Sequence, residues 1–388
     1  MQTDAVEKMN ILQVMGCSSI QYASTEKYLV EKAKTLSKRG YKFFLVYEDI
    51  PKSRRFIRDF LDAGGKLYEI RLRNFFNLSN YRKIYRIIKE EDIEIVHSYF
   101  SPVCHYLSIY LTIRGFKNLV RTAANLPVSI RISKKWRNSY LRLYFSFRHK
   151  LLSLFVRKIM CRSEGVKLEY QELGISTRKL SVVSGGLDIE NYKFSSIDRD
   201  KVRRKYDINN ETLVLGTFCR LASVKRIDRL IKSFNSIKIN DRDIKLLIAG
   251  DGPELENLKR LVRNFNLNEK IKLLGHRNDI SELYSALDIF CLPSIAEGMS
   301  NSILEAMASE LPVVATYIVP NKELIDDGIG GFLISFEDEK EFQDRIEKLL
   351  DIRLRREMGK HNREKAISKF SLKSRIEKEF QIYKEIFY

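Results

Sequence analysis

The feature that most constrains this chain is an alternation that runs its whole length. Short apolar runs are followed by longer segments of helical periodicity, and the pattern restarts once near the middle. Asn10 to Met15 reads as a strand and Glu26 to Arg39 as a helix closed by Gly40. Tyr41 to Tyr47 is a strand, Phe56 to Gly64 a helix and its stop, and Glu94 to Ser98 another strand. Lys158 to Arg162 and Leu180 to Val183 are further buried strands. The second series begins at Thr212 to Cys219 (strand) and Lys225 to Ile237 (helix). Lys245 to Ala249, Ile271 to Leu274 and Ile289 to Leu292 follow as strands, with helices at Leu255 to Phe265 and Ile280 to Ala286 between them. Strictly alternating strands and helices build parallel sheets covered on both faces.

Two such series predict an α/β chain of two doubly wound, Rossmann-like domains. We place the first at residues 1–187 and the second at 188–371, with a terminal helix at about 372–388 packing back on the first. A length of 388 residues suits two domains, and 44% hydrophobic residues supply two cores. Ligands of open parallel sheets sit at the carboxyl ends of the strands, so a cleft between the domains is the expected site.

Cys17, Cys104, Cys161, Cys219 and Cys291 are scattered, which fits neither a zinc site nor a disulfide framework and suggests a reducing, cytoplasmic setting. Met1 to Asn10 has no apolar run of the signal-peptide kind. Ile95 to Ile113 lacks charges, yet it holds His97, Pro102 and His105 and reads as a strand and a helix, not a membrane span.

The formal net charge is +19, and it is uneven. Residues 1–180 hold 34 Lys and Arg against 16 Asp and Glu; residues 181–388 hold 35 against 34. Within the basic half, Trp136, Tyr140, Tyr144, Phe147, Leu151 and Phe155 recur at helical spacing, with Lys134, Lys135, Arg137, Arg142, Arg148, Lys150, Arg157 and Lys158 among them. This stripe either packs on its own sheet or meets an anionic membrane surface, and the basic surroundings favour the membrane. A nucleic-acid binder would also be basic and aromatic, but it would leave the neutral second half unexplained.

In that second half, the strand Ile289 to Leu292 ends at Pro293, and a helix starts near Ser300 to Ser302. Backbone N–H groups at a helix start are unpaired and the dipole there is positive, which suits a phosphate or sugar hydroxyls. Glu297 stands at the mouth of the turn and Glu305 in the first turns of the helix, where a carboxylate can read hydroxyl pairs. Alone, Ser302 with Glu305 also fits a capping box, and Glu297 a solvated loop acid. Arg220 follows a strand and Lys225 opens the next helix; two cations at a strand end can clamp a diphosphate.

These segments resemble a known family. Ser294 to Thr316, with Glu297-Gly298 and Leu304 to Thr316, is similar to the signature of family 4 retaining glycosyltransferases of the GT-B fold. So are the Arg220/Lys225 segment, Ala249-Gly250-Asp251-Gly252-Pro253, and Leu274-Gly275-His276 before Asp288-Ile289-Phe290. The resemblance implies a sugar-transferring enzyme with a UDP- or GDP-linked donor as substrate, no other cofactor and no metal. It implies catalytic roles for Glu297, Arg220 and Lys225. Donor contacts are implied at Glu305, Gly298, Met299, Ser300, Asn301, His276, Arg277, Gly250 and Gly16. It further implies front-face attack, with the leaving phosphate taking the acceptor proton. The N-terminal half departs from the pattern: Gly16 is followed by Cys17-Ser18-Ser19 where members carry a second glycine, and Arg121 to Asn125 stands where many carry a histidine. His97, His105 and Asn125 are the acceptor-side candidates. The implied acceptor is a glycan or lipid-linked saccharide in cell-surface polysaccharide or glycolipid assembly. A GT-B epimerase is the alternative; a phosphorylase would need a pyridoxal-phosphate lysine site, which the sequence does not display.

Overall fold

The structure, a computed structural model, describes residues 9–16, 24–49, 51–72, 78–99, 103–123, 139–237 and 243–388. The chain divides into two units, Met1–Gly186 with Leu372–Tyr388, and Leu187–Ser371.

The first unit holds seven parallel strands: β1 (Asn10–Met15), β2 (Phe43–Tyr47), β3 (Gly65–Glu69), β4 (Ile93–Tyr99), β5 (Leu119–Ala123), β6 (Lys158–Cys161) and β7 (Leu180–Val182). Their order is β3-β2-β1-β4-β5-β6-β7. β1 and β2 are buried at every position, as strands covered by helices on both faces must be. The register between β1 and β4 pairs Leu12 with Val96 and Gln13 with His97. Helix Ser24–Ser37 stops before Gly40, whose φ of 79° lets the chain turn back into β2.

One apolar core on this sheet is shared with the helix Leu372–Phe387, which inserts Ile376, Phe380, Ile382, Tyr383 and Ile386 beside Leu29, Phe43 and Ile95. The same helix buries charge. Lys32 Nζ lies 2.7 Å from Glu379 Oε2, with both side chains about 1% exposed. Lys32 also donates to Gln13 Oε1 (2.7 Å) and Tyr383 OH (2.8 Å), while Arg375 Nε lies 3.1 Å from Glu379 Oε1. Burial lowers the Lys32 ammonium to about 8 against the pull of Glu379. Burial also opposes ionisation of Glu379, yet Lys32 and Arg375 hold its carboxyl well below the usual range.

The basic aromatic stripe resolves in an unusual way. Helix Ser139–Ser153 turns His149 and Ser153 inward. Leu143 (68% exposed), Phe147 (68%) and Leu154 (68%) face outward, together with Tyr144 and Leu151. Of the two readings of this stripe, packing on its own sheet does not hold for these side chains. Trp136 lies outside the described residues, and of Tyr140 only the backbone is described.

The second unit holds six parallel strands: β8 (Leu213–Phe218), β9 (Ile244–Ala249), β10 (Ile271–Leu273), β11 (Ile289–Leu292), β12 (Val313–Thr316) and β13 (Gly331–Ile334). The order is β10-β9-β8-β11-β12-β13, so the chain reverses direction across the sheet between β8 and β11. At such a switch point the loops leave in opposite directions and open a crevice. Asp288, just before β11, accepts from Arg199 and Arg203 (2.7 Å each) and from the Val214 N–H (2.8 Å), which fixes β11 beside β8.

Among the described residues no helix is long and apolar enough to cross a membrane, and no group of three His, Cys, Asp or Glu has metal-holding geometry. Cys161, Cys219 and Cys291 are free thiols.

Candidate active site

The site in the second unit is built by the ends of β8, β9 and β10. The loops that leave them are laced together: Cys219 N–H donates to Ala249 O (3.0 Å), Gly250 N–H to Gly275 O (2.8 Å) and Leu221 N–H to Asp251 O (2.9 Å). Glycine is required where the loops touch. A Cβ on Gly250, whose φ is 140°, would stand 1.8 Å from Cys219 O, and one on Gly252 would stand 2.3 Å from Leu221 O. This close approach leaves a pocket of about 720 Å³ over the strand ends. Its walls include Phe218, Cys219 and Arg220 after β8, Gly250, Asp251 and Gly252 after β9, and His276 and Arg277 after β10. Tyr192, Ile280 and Glu305 close it.

Arg220 is exposed to this pocket, and its guanidinium forms no ion pair among the described residues. Arg277 is held flat by Asp279, with Nε 2.8 Å from Oδ1, so it presents a fixed face. Glu305 reaches the pocket from helix Asn301–Ala308. Its Oε2 accepts from Tyr284 OH at 3.0 Å, and Tyr192 OH is a second partner. Burial pushes the Glu305 carboxyl up to about 7, against the opposing pull of the two phenols.

The capping reading of Ser302 and Glu305 is replaced by another arrangement. Ser300 is the N-cap, accepting from the Ile303 N–H at 3.3 Å, which leaves the Glu305 carboxyl for the pocket. Glu297 is not a solvated acid. Its side chain is 9% exposed and pairs with Lys225 Nζ at 2.5 Å. The two are brought together because the Ile295 N–H donates to Val224 O (3.0 Å), tying the turn before the helix to the segment after β8. Lys225 does not open a helix as expected. It ends a short 3-10 turn, Ser223–Lys225, and the helix begins at Ile227 after Arg226 in the left-handed region (φ 50°). Gly298 is buried, Met299 is half-buried and Asn301 is exposed in the same turn and helix start.

The remaining candidates lie in the first unit. Gly16 follows β1, its N–H donating to Tyr99 O at 3.3 Å, and it is not among the residues that line the pocket. His97 is fully buried, its ring between Tyr383 OH (2.5 Å) and Thr122 Oγ1 (2.8 Å). Burial holds its pKa well below the usual value. His105 is half-buried on helix Val103–Ile113, with its ring 6.3 Å from that of His149. Asn125 falls outside the described residues. The sequence reading missed Tyr192 and Tyr284. Tyr284 sits within the predicted helix Ile280 to Ala286 and Tyr192 near the start of the second unit, and neither belongs to the motif residues, so only their aromatic character hinted at the pocket.

The pocket thus holds an exposed arginine and a half-buried carboxyl, while Lys225, Glu297 and Gly298 to Asn301 are not among the residues that line it. Comparisons with known proteins identify the family and the fold. Residues 25–191 match the family model described as Glycosyltransferase Family 4, and residues 198–365 match Glycosyl transferases group 1. Over 308 residues the chain is 27% identical to an Escherichia coli protein named UDP-Gal:alpha-D-GlcNAc-diphosphoundecaprenol alpha-1,3-galactosyltransferase, covering 77% of each. A crystal structure of a glycosyltransferase from Rickettsia africae matches with a TM-score of 0.78 at 25% identity, covering 98% of this chain and 99% of that one. Anabaena HepE, solved in complex with UDP, matches in fold with a TM-score of 0.78 at 20% identity, over 97% and 100%. The chain therefore belongs to the family 4, group 1 glycosyltransferases, and its two parallel-sheet units are those of the GT-B fold.

Proposed function

We propose that the chain is a retaining transferase that takes a sugar from a UDP-linked donor and passes it to a lipid-linked saccharide at an anionic membrane surface. The observation that carries the donor half is the pocket over β8, β9 and β10, whose wall holds both the half-buried Glu305 and Arg220, which forms no ion pair among the described residues. In this reading Arg220 and Lys225 hold the diphosphate, and Glu305 reads the ribose diol. Glu297 orients the donor sugar and the Lys225 ammonium, while Gly298 to Asn301 line the sugar end. His276 and Arg277 flank the base. Charge builds on the diphosphate as the glycosidic bond breaks, and fixed cations are most effective there. No cofactor beyond the donor and no metal ligand enters this scheme; the leaving phosphate takes the acceptor proton.

Two further observations support the acceptor half. The Escherichia coli relative is named for a diphosphoundecaprenol-linked acceptor. The first unit carries the charge excess, and its helix Ser139–Ser153 exposes an apolar face flanked by Arg148 and Lys150. Large apolar side chains beside bases suit the boundary of an anionic bilayer. We place the enzyme on the cytoplasmic face of the membrane, in polysaccharide or glycolipid assembly.

A thermal-shift panel of UDP-, GDP- and ADP-sugars tests the donor assignment. At a hundred times Kd, a bound donor stabilises the protein by about 2.7 kcal/mol. Arg220→Ala abolishes that shift and the transfer, and the product anomer read by NMR matches the donor's. A variant that transfers at the parental rate refutes the diphosphate assignment.

A further inference from the structure

The surroundings of Glu305 allow its proton to be counted. Tyr284 is fully buried, and its hydroxyl lies 3.1 Å from Ser302 O and 3.0 Å from Glu305 Oε2. A phenol carries one proton. If Glu305 is ionised, two acceptors compete for that proton, and one close contact is left without a hydrogen. If Glu305 is protonated, both contacts close. Its O–H donates to the Tyr284 oxygen, and Tyr284 donates to the Ser302 carbonyl. The Tyr192 ring stands 5.9 Å from that of Tyr284 and seals the same side.

The other ionisable groups around Glu305 do not neutralise it. Cys219 after β8 shares the pocket wall with it, and burial pushes that thiol up to about 11. Asp188 lies behind Tyr192 on the turn that packs against the helix of Glu305. Arg220, Asp251, His276 and Arg277 share the pocket wall. On the far side, helix Ile352–Lys365 aims Arg363 at Ala308 O and Glu190, and Lys365 at Asp326. Among the described residues Glu305 has no ion pair, so besides the two phenol hydroxyls nothing offsets its partial burial.

We infer that Glu305 is protonated in the empty donor pocket and releases that proton when a ribose diol docks, with Tyr192 and Tyr284 as the positioning residues that set the exchange. The inference rests on the donor reading above. In the step, the carboxyl O–H breaks and its proton leaves to solvent. The two ribose hydroxyls and Tyr192 then donate to the carboxylate, and Tyr284 turns its one proton from the Ser302 carbonyl to it, a set that favours the charged form. Donor binding is therefore coupled to pH. Affinity rises with pH as the free carboxyl loses its proton, and levels off above neutrality.

The test is calorimetry of the full chain with UDP-glucose and with GDP-mannose, whose diphosphates bear no group titrating near neutrality. Each titration is run in buffers of different ionisation enthalpy. A group poised near 7 in the free protein releases about 0.9 proton at pH 6 and about 0.1 at pH 8, and Kd falls roughly tenfold between them. Glu305→Gln removes both effects. Tyr284→Phe removes one donor to the carboxylate and moves the rise in affinity to higher pH, a change that a merely structural tyrosine would not produce. Binding with a pH-independent Kd and no proton release overturns the inference and leaves the donor site standing. So does proton uptake on binding. Failure of both nucleotide sugars to bind at any pH overturns the donor reading, and this inference with it.

Discussion

The Lys225–Glu297 pair makes the donor assignment quantitative. With the ammonium 2.5 Å from the carboxylate and the side chains 18% and 9% exposed, a phosphate oxygen seated on Lys225 lies about 5 Å from Glu297. At an effective dielectric near 20, two unit charges about 5 Å apart interact by roughly 3 kcal/mol. Lys225→Ala therefore acts twice. It removes an attraction of that order, and it exposes the diphosphate to a carboxylate that the ammonium had neutralised. Adding Glu297→Gln removes the second effect. UDP binding by calorimetry at low salt should fall steeply in Lys225→Ala and recover by about 30- to 150-fold in the double variant, the equivalent of 2–3 kcal/mol. A double variant that binds no better than Lys225→Ala refutes the argument, because Glu297 would then lie outside the field of the phosphates.

Two other outcomes are expected. Lys32→Met leaves Arg375 as the only ion-pair partner of Glu379 among the described residues, and breaking one partner of a buried pair costs about 3 kcal/mol at the low end. Because the folded Glu379 carboxyl is depressed, its stabilisation is complete above the ordinary carboxylate value and is lost as pH falls. The variant should therefore unfold at a higher pH on acidification. It should also lose the gain in stability that wild type shows from about 8 up to the ordinary lysine value, where only the unfolded Lys32 still binds a proton; calorimetric scans across pH that match wild type would refute this. Phe147→Ser, Leu151→Ser and Leu154→Ser together should leave the fold intact and cut cosedimentation with phosphatidylglycerol liposomes by more than about a hundredfold, since each large apolar side chain contributes about 1.5–3 kcal/mol on burial. Unchanged pelleting refutes the membrane face.

How far the sequence spoke depended on the range of the interactions. Strands such as β1 and β11 were legible because a strand buried on both faces is a continuous apolar run. The stops at Gly40 and Gly64 were legible because left-handed backbone favours glycine. Strand β3 was not: it is an edge strand whose residues are mostly part-exposed, so it carries Lys66 and Glu69 instead of an apolar run. Periodicity showed which side chains of Ser139–Ser153 share a face but not what covers that face. The positions of Glu297 and Glu305 were readable, but their states were not. Lys225 comes from 72 residues away in the chain and Tyr284 from 21, and no local pattern encodes either contact.

The return of the terminal helix to the first unit has a consequence in time. Residues 187–371 are all made between the seventh strand of that unit and the helix Leu372–Phe387 that completes its core. At about 5–20 residues per second of synthesis, the wait is of the order of ten to forty seconds. For that interval Lys32 has no Glu379, and Leu29, Phe43 and Ile95 lack the cover of Ile376, Phe380 and Tyr383. The nascent first unit is then a natural client for a holding chaperone, whereas the second unit is contiguous and can close as soon as it has emerged.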